Sequence, residues 1–362
     1  MAWLRLIRCD NVGPVTFRML INRYGGAEAA LAALPDLAAR GGAKRRIRLA
    51  SLEAAEAEMA TAVRLGARFV CLGEPDYPAI LRSFEQAPPV LAVMGSTGSL
   101  SRPAVAIVGA RNASLAGLKL TRILAEELGR AGFVVVSGIA RGIDAAAHQA
   151  SLASGTIGVM AGGLDRPYPP ENKPLMRQIV DSADGCLVSE MPFGWEPRAA
   201  DFPRRNRIVA GLALGLVVVE AAQRSGSLIS ARLAAEMGRL VFAVPGSPLD
   251  PRAGGTNKLL KQGGILVTEA ADVVEALRPL DGRLSMQTKL SLSEPEAAIA
   301  DEDPAEEDRG RIVELLGVTP VAVDEILEQS GLRPALAQLV LLELDLAGRL
   351  ERHLDGRISL LF

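Results

Sequence analysis

Residues 137–144, Ser-Gly-Ile-Ala-Arg-Gly-Ile-Asp, put two glycines, a serine and an arginine into one short stretch. Glycine lets a ligand approach the main chain, serine and backbone N–H groups donate hydrogen bonds, and arginine adds a fixed charge with a fork of donors. That mixture suits phosphate. A second set, Phe202-Pro-Arg-Arg-Asn-Arg-Ile208, brings three arginines and an amide to a helix start that Pro203 favours. A third, Ser225-Gly-Ser227, offers hydroxyls and bare backbone just before another helical run. The plain structural alternatives are a tight turn for the 137–144 loop, a helix cap for Ser225-Gly-Ser227 and, for Arg111 in the loop after Val108, an ion pair on the rim. The further basic run Lys44-Arg-Arg-Ile-Arg48 reads as a solvated face.

These stretches follow a rhythm of short apolar run, Gly-rich or Ser-rich loop and amphipathic helix that repeats from Ala104 to about Arg278. Strands are expected at Ala104–Val108, Phe133–Ser137, Thr156–Met160, Gly185–Ser189, Leu216–Glu220, Leu240–Val244 and Ile265–Val267. Such alternation implies a doubly wound parallel sheet with helices on both faces, which binds ligands at the carboxyl ends of its strands. Gly109-Ala-Arg-Asn112 follows the first strand, Ser137–Asp144 the second, and a loop ending in Asn172-Lys173 the third. Phe202–Ile208 comes after the fourth and Ser225-Gly-Ser227 after the fifth. Donors at so many strand ends suit a groove that follows several phosphates of one strand better than a pocket for one nucleotide.

Composition narrows the class. The 362 residues predict two or three domains, and 49% hydrophobic content supports real cores. With a formal net charge of -2 the whole chain has no positive field, so any hold on nucleic acid has to be local. No stretch approaches the roughly 18–20 apolar residues of a membrane span, so a soluble cytoplasmic protein is expected. Cys9, Cys71 and Cys186 lie far apart beside two histidines, and neither a disulfide framework nor a metal site is expected. A P-loop is missing, and Gly109-Ala-Arg-Asn-Ala-Ser114 has one glycine where the dinucleotide fingerprint needs three. No cofactor is expected. His148, in an alanine-rich helix without an evident carboxylate partner, reads as a packing or hydrogen-bonding residue.

Ile107-Val-Gly-Ala-Arg111, Ser137–Asp144, Tyr168-Pro-Pro-Glu-Asn172, Phe202–Leu212, Ser225-Gly-Ser-Leu228 and Val244-Pro-Gly246, in this order, resemble the DNA-processing protein A (DprA, also called Smf) family. The resemblance spans the whole central domain. It implies an extended Rossmann-like domain that binds single-stranded DNA, forms a homodimer and helps load the RecA recombinase during natural transformation, as a mediator and not an enzyme. The DNA pocket it implies comprises Gly109, Arg111, Ser137, Gly138, Arg141, Gly142, Asn172, Lys173, Arg204, Asn206, Arg207, Ser225 and Gly226. By residue type these grip phosphate and sugar without an obvious fork for base edges, so recognition independent of base sequence is expected. Aromatic residues are 4% of the chain, and Tyr168, Phe193, Trp195 and Phe202 are stacking candidates whose alternative is burial in the core.

The flanks read as separate modules. Residues 1–70 carry Asn11-Val-Gly-Pro14 in a turn–helix pattern of the SAM-like or helix-hairpin-helix type, and the resemblance implies such a domain here. Residues 71–280 hold the sheet, with the Pro75–Pro78 and Pro88-Pro89 segments as the connection into it. Residues 281–309, rich in Ser, Glu, Asp and Pro, form a linker. Residues 310–362 suggest three helices and a hairpin turning at Asp355-Gly356, a winged helix. Its third helix, around Ala335–Glu343, has almost no basic residues, which favours a protein-contact or regulatory role over groove reading.

A nucleotide-processing enzyme of the lysine-decarboxylase-like or phosphoribohydrolase type is the competing reading. Its Pro-Gly-Gly-x-Gly-Thr loop is broken here by Pro245-Gly-Ser-Pro248, and Gly254-Gly-Thr256 leads into Asn257-Lys-Leu-Leu260 without a catalytic acid.

Overall fold

The computed structural model describes residues 1–287, 303–353 and 356–361. The chain divides into two compact units, one made of Met1–Ala57 with Leu292–Phe362 and the other of Glu58–Ser291.

In chain order the first unit opens with α1 (Ala2–Ile7), α2 (Pro14–Tyr24) and α3 (Ala27–Arg40), and α4 (Leu52–Arg64) leads into the second. There follow β1 (Ala67–Cys71), α5 (Ala79–Arg82), β2 (Val90–Gly95), β3 (Ala104–Val108), α6 (Leu115–Arg130), β4 (Val134–Ser137), α7 (Ile143–Ser151), β5 (Thr156–Val159), α8 (Lys173–Asp181) and β6 (Gly185–Ser189). The unit continues through α9 (Asp201–Gly211), β7 (Gly215–Val218), α10 (Ser227–Glu236), β8 (Leu240–Ala243), α11 (Gly254–Lys261), β9 (Ile265–Leu266) and α12 (Ala270–Gln287). The first unit is completed by α13 (Glu306–Leu315), α14 (Val323–Ser330), α15 (Pro334–Leu346) and the ribbon β10 (Leu350–Arg352) and β11 (Ile358–Leu360).

The nine-stranded sheet runs β1-β2-β6-β5-β4-β3-β7-β8-β9. From β6 to β9 all pairs are parallel, in the seven places expected from the sequence. The two added strands, β1 and β2, pair antiparallel and attach through β2 to β6. From sequence they look like a connection only, because proline pairs punctuate these short runs and Arg68 interrupts the first. β1 straddles the expected domain boundary between residues 70 and 71, and α12 runs past the expected linker start at 281. The remainder of that linker through 302 lies outside the described residues, as do Leu354 and Asp355 of the expected hairpin turn.

The strands form because their residues are apolar on both faces: all five residues of β3 and of β6 are buried. Helices α6 and α7 pack on β3 and β4 and α8 on β5 and β6, whereas α9 and α10 pack on each other and reach β5, β7 and β8. Chain direction reverses after β6, and with right-handed crossovers this puts the second pair of helices on the opposite face. The loops leaving β3 and β7, adjacent strands, therefore diverge and open a crevice at their carboxyl ends.

In the first unit, α15 is buried on all sides from Leu339 to Leu346. Ala337, Val340, Leu341 and Leu344 close the core of the C-terminal helices and ribbon, while Leu339, Leu342 and Leu346 complete the N-terminal core around Leu6, Phe17, Leu20 and Leu34. Each buried leucine contributes roughly 1.5–3 kcal/mol. Among the described residues, no helix is long and apolar enough to cross a membrane.

Candidate nucleic-acid interface

A cleft of about 790 Å3 occupies the crevice between β3 and β7. One wall is Gly109–Asn112 after β3, another Ala222 with Arg224–Ser227 at the start of α10, and Phe202, Pro203 and Asn206 of α9 close a third side. A smaller cleft of about 390 Å3 is lined by Arg111, Gly138–Arg141, Tyr168, Pro169 and Phe202. The two share Arg111, Asn112, Gly138, Ala140, Phe202 and Arg205, so they adjoin along one edge of the sheet.

Arg111 stands on the shared wall, exposed, with its guanidinium carbon 5.6 Å from the centre of the Phe202 ring. Phe202 in turn lies 5.5 Å from the Tyr168 ring, and Tyr168 is 49% exposed. A cation and two aromatic faces thus line one groove, a pairing suited to phosphate on one side and bases on the other. The other two aromatic candidates are used internally. Phe193 packs edge-on against Phe69, and Trp195 donates from Nε1 to Asp201 at 2.9 Å.

The 137–144 loop is organised from within. Asp144, in the first turn of α7, accepts the N–H groups of Gly138 at 3.1 Å and Ala140 at 3.2 Å through Oδ2. This carboxylate occupies the backbone donors that were expected to face a phosphate. Burial pushes the Asp144 carboxyl up from its ordinary value, against the pull of Arg205 and the two N–H donors. Arg205, equally buried and lowered to about 10 by that burial, donates to the carbonyls of Gly138 and, at 2.6 Å, Val159. Two conformations hold the turn. Gly142 has φ +73°, and a Cβ there would overlap the Ala110 carbonyl. Ile139 takes φ +59°, which for a β-branched residue costs about 1–2 kcal/mol.

Several expected contributors are consumed by the fold. Ser137 is buried and donates from Oγ to the Ile107 carbonyl at 2.6 Å, because it ends a central strand and faces its neighbour. The Asn172 amide braces the loop, donating to the carbonyls of Ile139 at 2.9 Å and Ala140 at 3.1 Å. Arg207 is 3% exposed and paired with Glu190, since α9 turns that position toward the interior. Helix α9 starts at Asp201, so Pro203 lies in its first turn, and Arg205 and Arg207 point inward instead of toward that helix end. Arg204 is exposed, 3.9 Å from Glu190, and together with Lys173 at the start of α8 it lies outside the lining of both clefts.

Gly109, Arg111, Gly138, Asn206, Ser225 and Gly226 do line the larger cleft, and Arg141 lines the smaller one, ion-paired with Glu171. Gly142 sits behind them as the N-cap of α7. The Ser225 and Ser227 hydroxyls are bonded to each other at 2.7 Å, and Asn206 reaches the Gly226 carbonyl at 3.4 Å. Sequence reasoning missed Asn112, Arg224 and Arg252, the last paired with Asp250 at 3.0 Å. Arg224 could have been found from its place beside Ser225 after an expected strand. His148 is buried, with Nδ1 2.7 Å from Thr156 Oγ1, and burial holds its pKa at about 3.

The chain matches the DNA recombination-mediator protein A family over residues 68–278, the DprA-like N-terminal HHH domain over 1–61 and the DprA winged helix domain over 294–356. It is 43% identical over 215 residues to the DNA processing protein DprA of Bacillus subtilis, covering 59% of this chain and 72% of that one. Among solved structures it is similar to DNA processing protein A of Streptococcus pneumoniae, with TM-score 0.63, 35% identity and coverage of 75% of this chain and 95% of the other. It is also similar to DNA processing protein A from Helicobacter pylori, solved for its single-stranded DNA binding mode, with TM-score 0.52, 29% identity and coverage of 58% and 95%. With a sheet, flanking domains and ordered motifs that all agree, this chain belongs to the DNA recombination-mediator protein A family.

Proposed function

We propose that the carboxyl edge of the central sheet binds unpaired DNA along the two adjoining clefts, without reading base sequence. The observation that carries this reading is Arg111 on the wall common to both clefts, beside the exposed ring of Tyr168 and the half-buried ring of Phe202. Arg111, Arg141 and Arg224 supply charge, Gly226 allows close approach while Gly109 and Gly138 make room for Ile143 and Arg205, and Asn206 and Ser225 donate hydrogen bonds. Lys173 and Arg204, exposed beyond the clefts, extend the path for a longer strand. Ser137, Gly142, Asn172 and Arg207 act on the strand only by shaping the loops. The single-strand binding of the Helicobacter pylori relative supports the same ligand here.

On this reading the protein is a mediator that protects incoming single-stranded DNA as a homodimer in the cytoplasm and passes it to the RecA recombinase during natural transformation. Membership of the recombination-mediator family supports this role. Fluorescence anisotropy with labelled oligothymidine and with a duplex of equal length tests the binding. Tight, salt-dependent binding to the single strand is expected. Failure to bind it at low salt would refute the proposal, and release of base from nucleoside monophosphates would point to the competing enzyme reading.

A further inference from the structure

In a helix-turn-helix fold the recognition helix lies in a DNA groove, but here the corresponding helix, α15, is committed to the chain's own N-terminal helices. Its two apolar rows belong to two cores, and from Leu339 to Leu346 every residue is buried, as in an interior helix. Its C-terminal end meets the α1–α2 hairpin with acceptors. Asp345 Oδ2 accepts the Thr16 hydroxyl at 2.5 Å, and the Leu346 carbonyl accepts the Asn11 amide at 3.0 Å. Thr16 lies in the first turn of α2, so Asp345, whose Oδ2 is also ion-paired with Arg352 at 2.8 Å, puts a hydrogen-bonding carboxylate beside the end of that helix which attracts anions. At the end of α3, Gly41 meets the Glu343 carbonyl so closely that no side chain would fit, and Arg349 donates to the Gly41 carbonyl at 3.1 Å.

Charge follows the same division. Residues 1–57 hold nine Lys and Arg against five Asp and Glu, and residues 303–362 hold six against twelve. Asp303 pairs with Arg40 at 2.9 Å and approaches Arg23 at 3.9 Å. We propose that the acidic winged helix is an internal cap on one side of the N-terminal region: with Asp303, Asp345 and α15 it covers the side that holds Thr16, Arg23 and Arg40, which that region would offer to a nucleic-acid backbone, while Lys44, Arg45, Arg46 and Arg48 stay exposed. The docked unit is closed to duplex DNA, and undocking opens it.

The test uses the full chain with a protease site inserted after residue 291. Once cut at low salt, the two pieces of the otherwise unaltered protein should co-elute, whereas Leu342→Asp should separate them, because Leu342 faces the N-terminal core and not that of the winged helix. Duplex binding is read in an Arg111→Ala background, so that the central clefts contribute least. Leu342→Asp should bind a short duplex at least tenfold more tightly at about 0.1 M salt, since each phosphate engaged on B-DNA gives about eightfold there. Adding Arg23→Glu with Arg40→Glu should cancel the gain. Thr16→Val with Asp345→Asn, a milder pair, should move binding in the same direction and decides the matter if circular dichroism shows Leu342→Asp unfolded. Pieces that stay together in the Leu342→Asp protein, separation without tighter duplex binding, or a gain that survives the arginine reversals would each overturn the cap. Single-strand binding by Leu342→Asp with Arg111 intact should be no weaker than that of the unaltered protein, and a loss there would count against the central site and not against the cap.

Discussion

Of the two arginines that line both clefts Arg205 is buried, so replacing Arg111 with alanine removes the exposed one, and its effect can be worked out beforehand. Each phosphate neutralised on a single strand contributes about -0.7 to the slope of log affinity against log salt. If Arg111 neutralises one phosphate, Arg111→Ala should flatten the slope by about 0.7 and weaken binding about fivefold at about 0.1 M salt, close to 1 kcal/mol. The measurement is anisotropy with an oligothymidine across a salt series. The control is Glu190→Gln with Arg207→Met, which removes a buried pair together so that neither charge is stranded. With Arg207 3% exposed, this double variant should keep the slope of the unaltered protein. An unchanged slope for Arg111→Ala, or a flattened one for the buried pair, would refute the assignment of charge along this edge.

Tyr168→Ala should lose about 1–3 kcal/mol of single-strand affinity through lost stacking, with the salt slope intact, as the same titration would read. Asp144→Ala leaves Arg205 buried without its carboxylate and frees two N–H groups, so denaturant unfolding should show a loss of about 3–5 kcal/mol, with a smaller loss for Asp144→Asn. Burial holds His148 at about 3, below the 6.5 of the free side chain, so the unfolded chain binds this proton first. Its stabilising effect is therefore complete above about pH 6.5 and is lost as pH falls toward 3; between pH 7 and 5.5 the loss is about 1.3 kcal/mol. Urea unfolding of His148→Gln should lack this part of the pH dependence, and a slope equal to that of the unaltered protein would contradict it.

The parallel strands were legible because they are short apolar runs rich in β-branched residues, the central ones buried on both faces, a pattern with few other uses. The edge that carries the site followed from them, since loops after parallel strands share one end of the sheet. β1 and β2 were not legible, because an antiparallel addition needs no alternation with helices and their proline-marked runs look like connection. The winged helix was readable in outline, and the lack of basic residues on α15 was already visible, but not the second core that this helix completes.

The types and order of the residues by themselves determined the doubly wound sheet, the family resemblance and the loops in which donors gather. Only the tertiary structure decided which donors remain for a ligand. Ser137, Asn172 and Arg207 are spent on Ile107, on the 139–140 carbonyls and on Glu190, while Tyr168 and Phe202, 34 positions apart in the chain, come together on a cleft wall. The reason is physical: a buried polar group must find a partner, and an internal carbonyl or carboxylate satisfies it as well as a phosphate does. Residue type states what a side chain can bond, and only its neighbours in space state what it does bond.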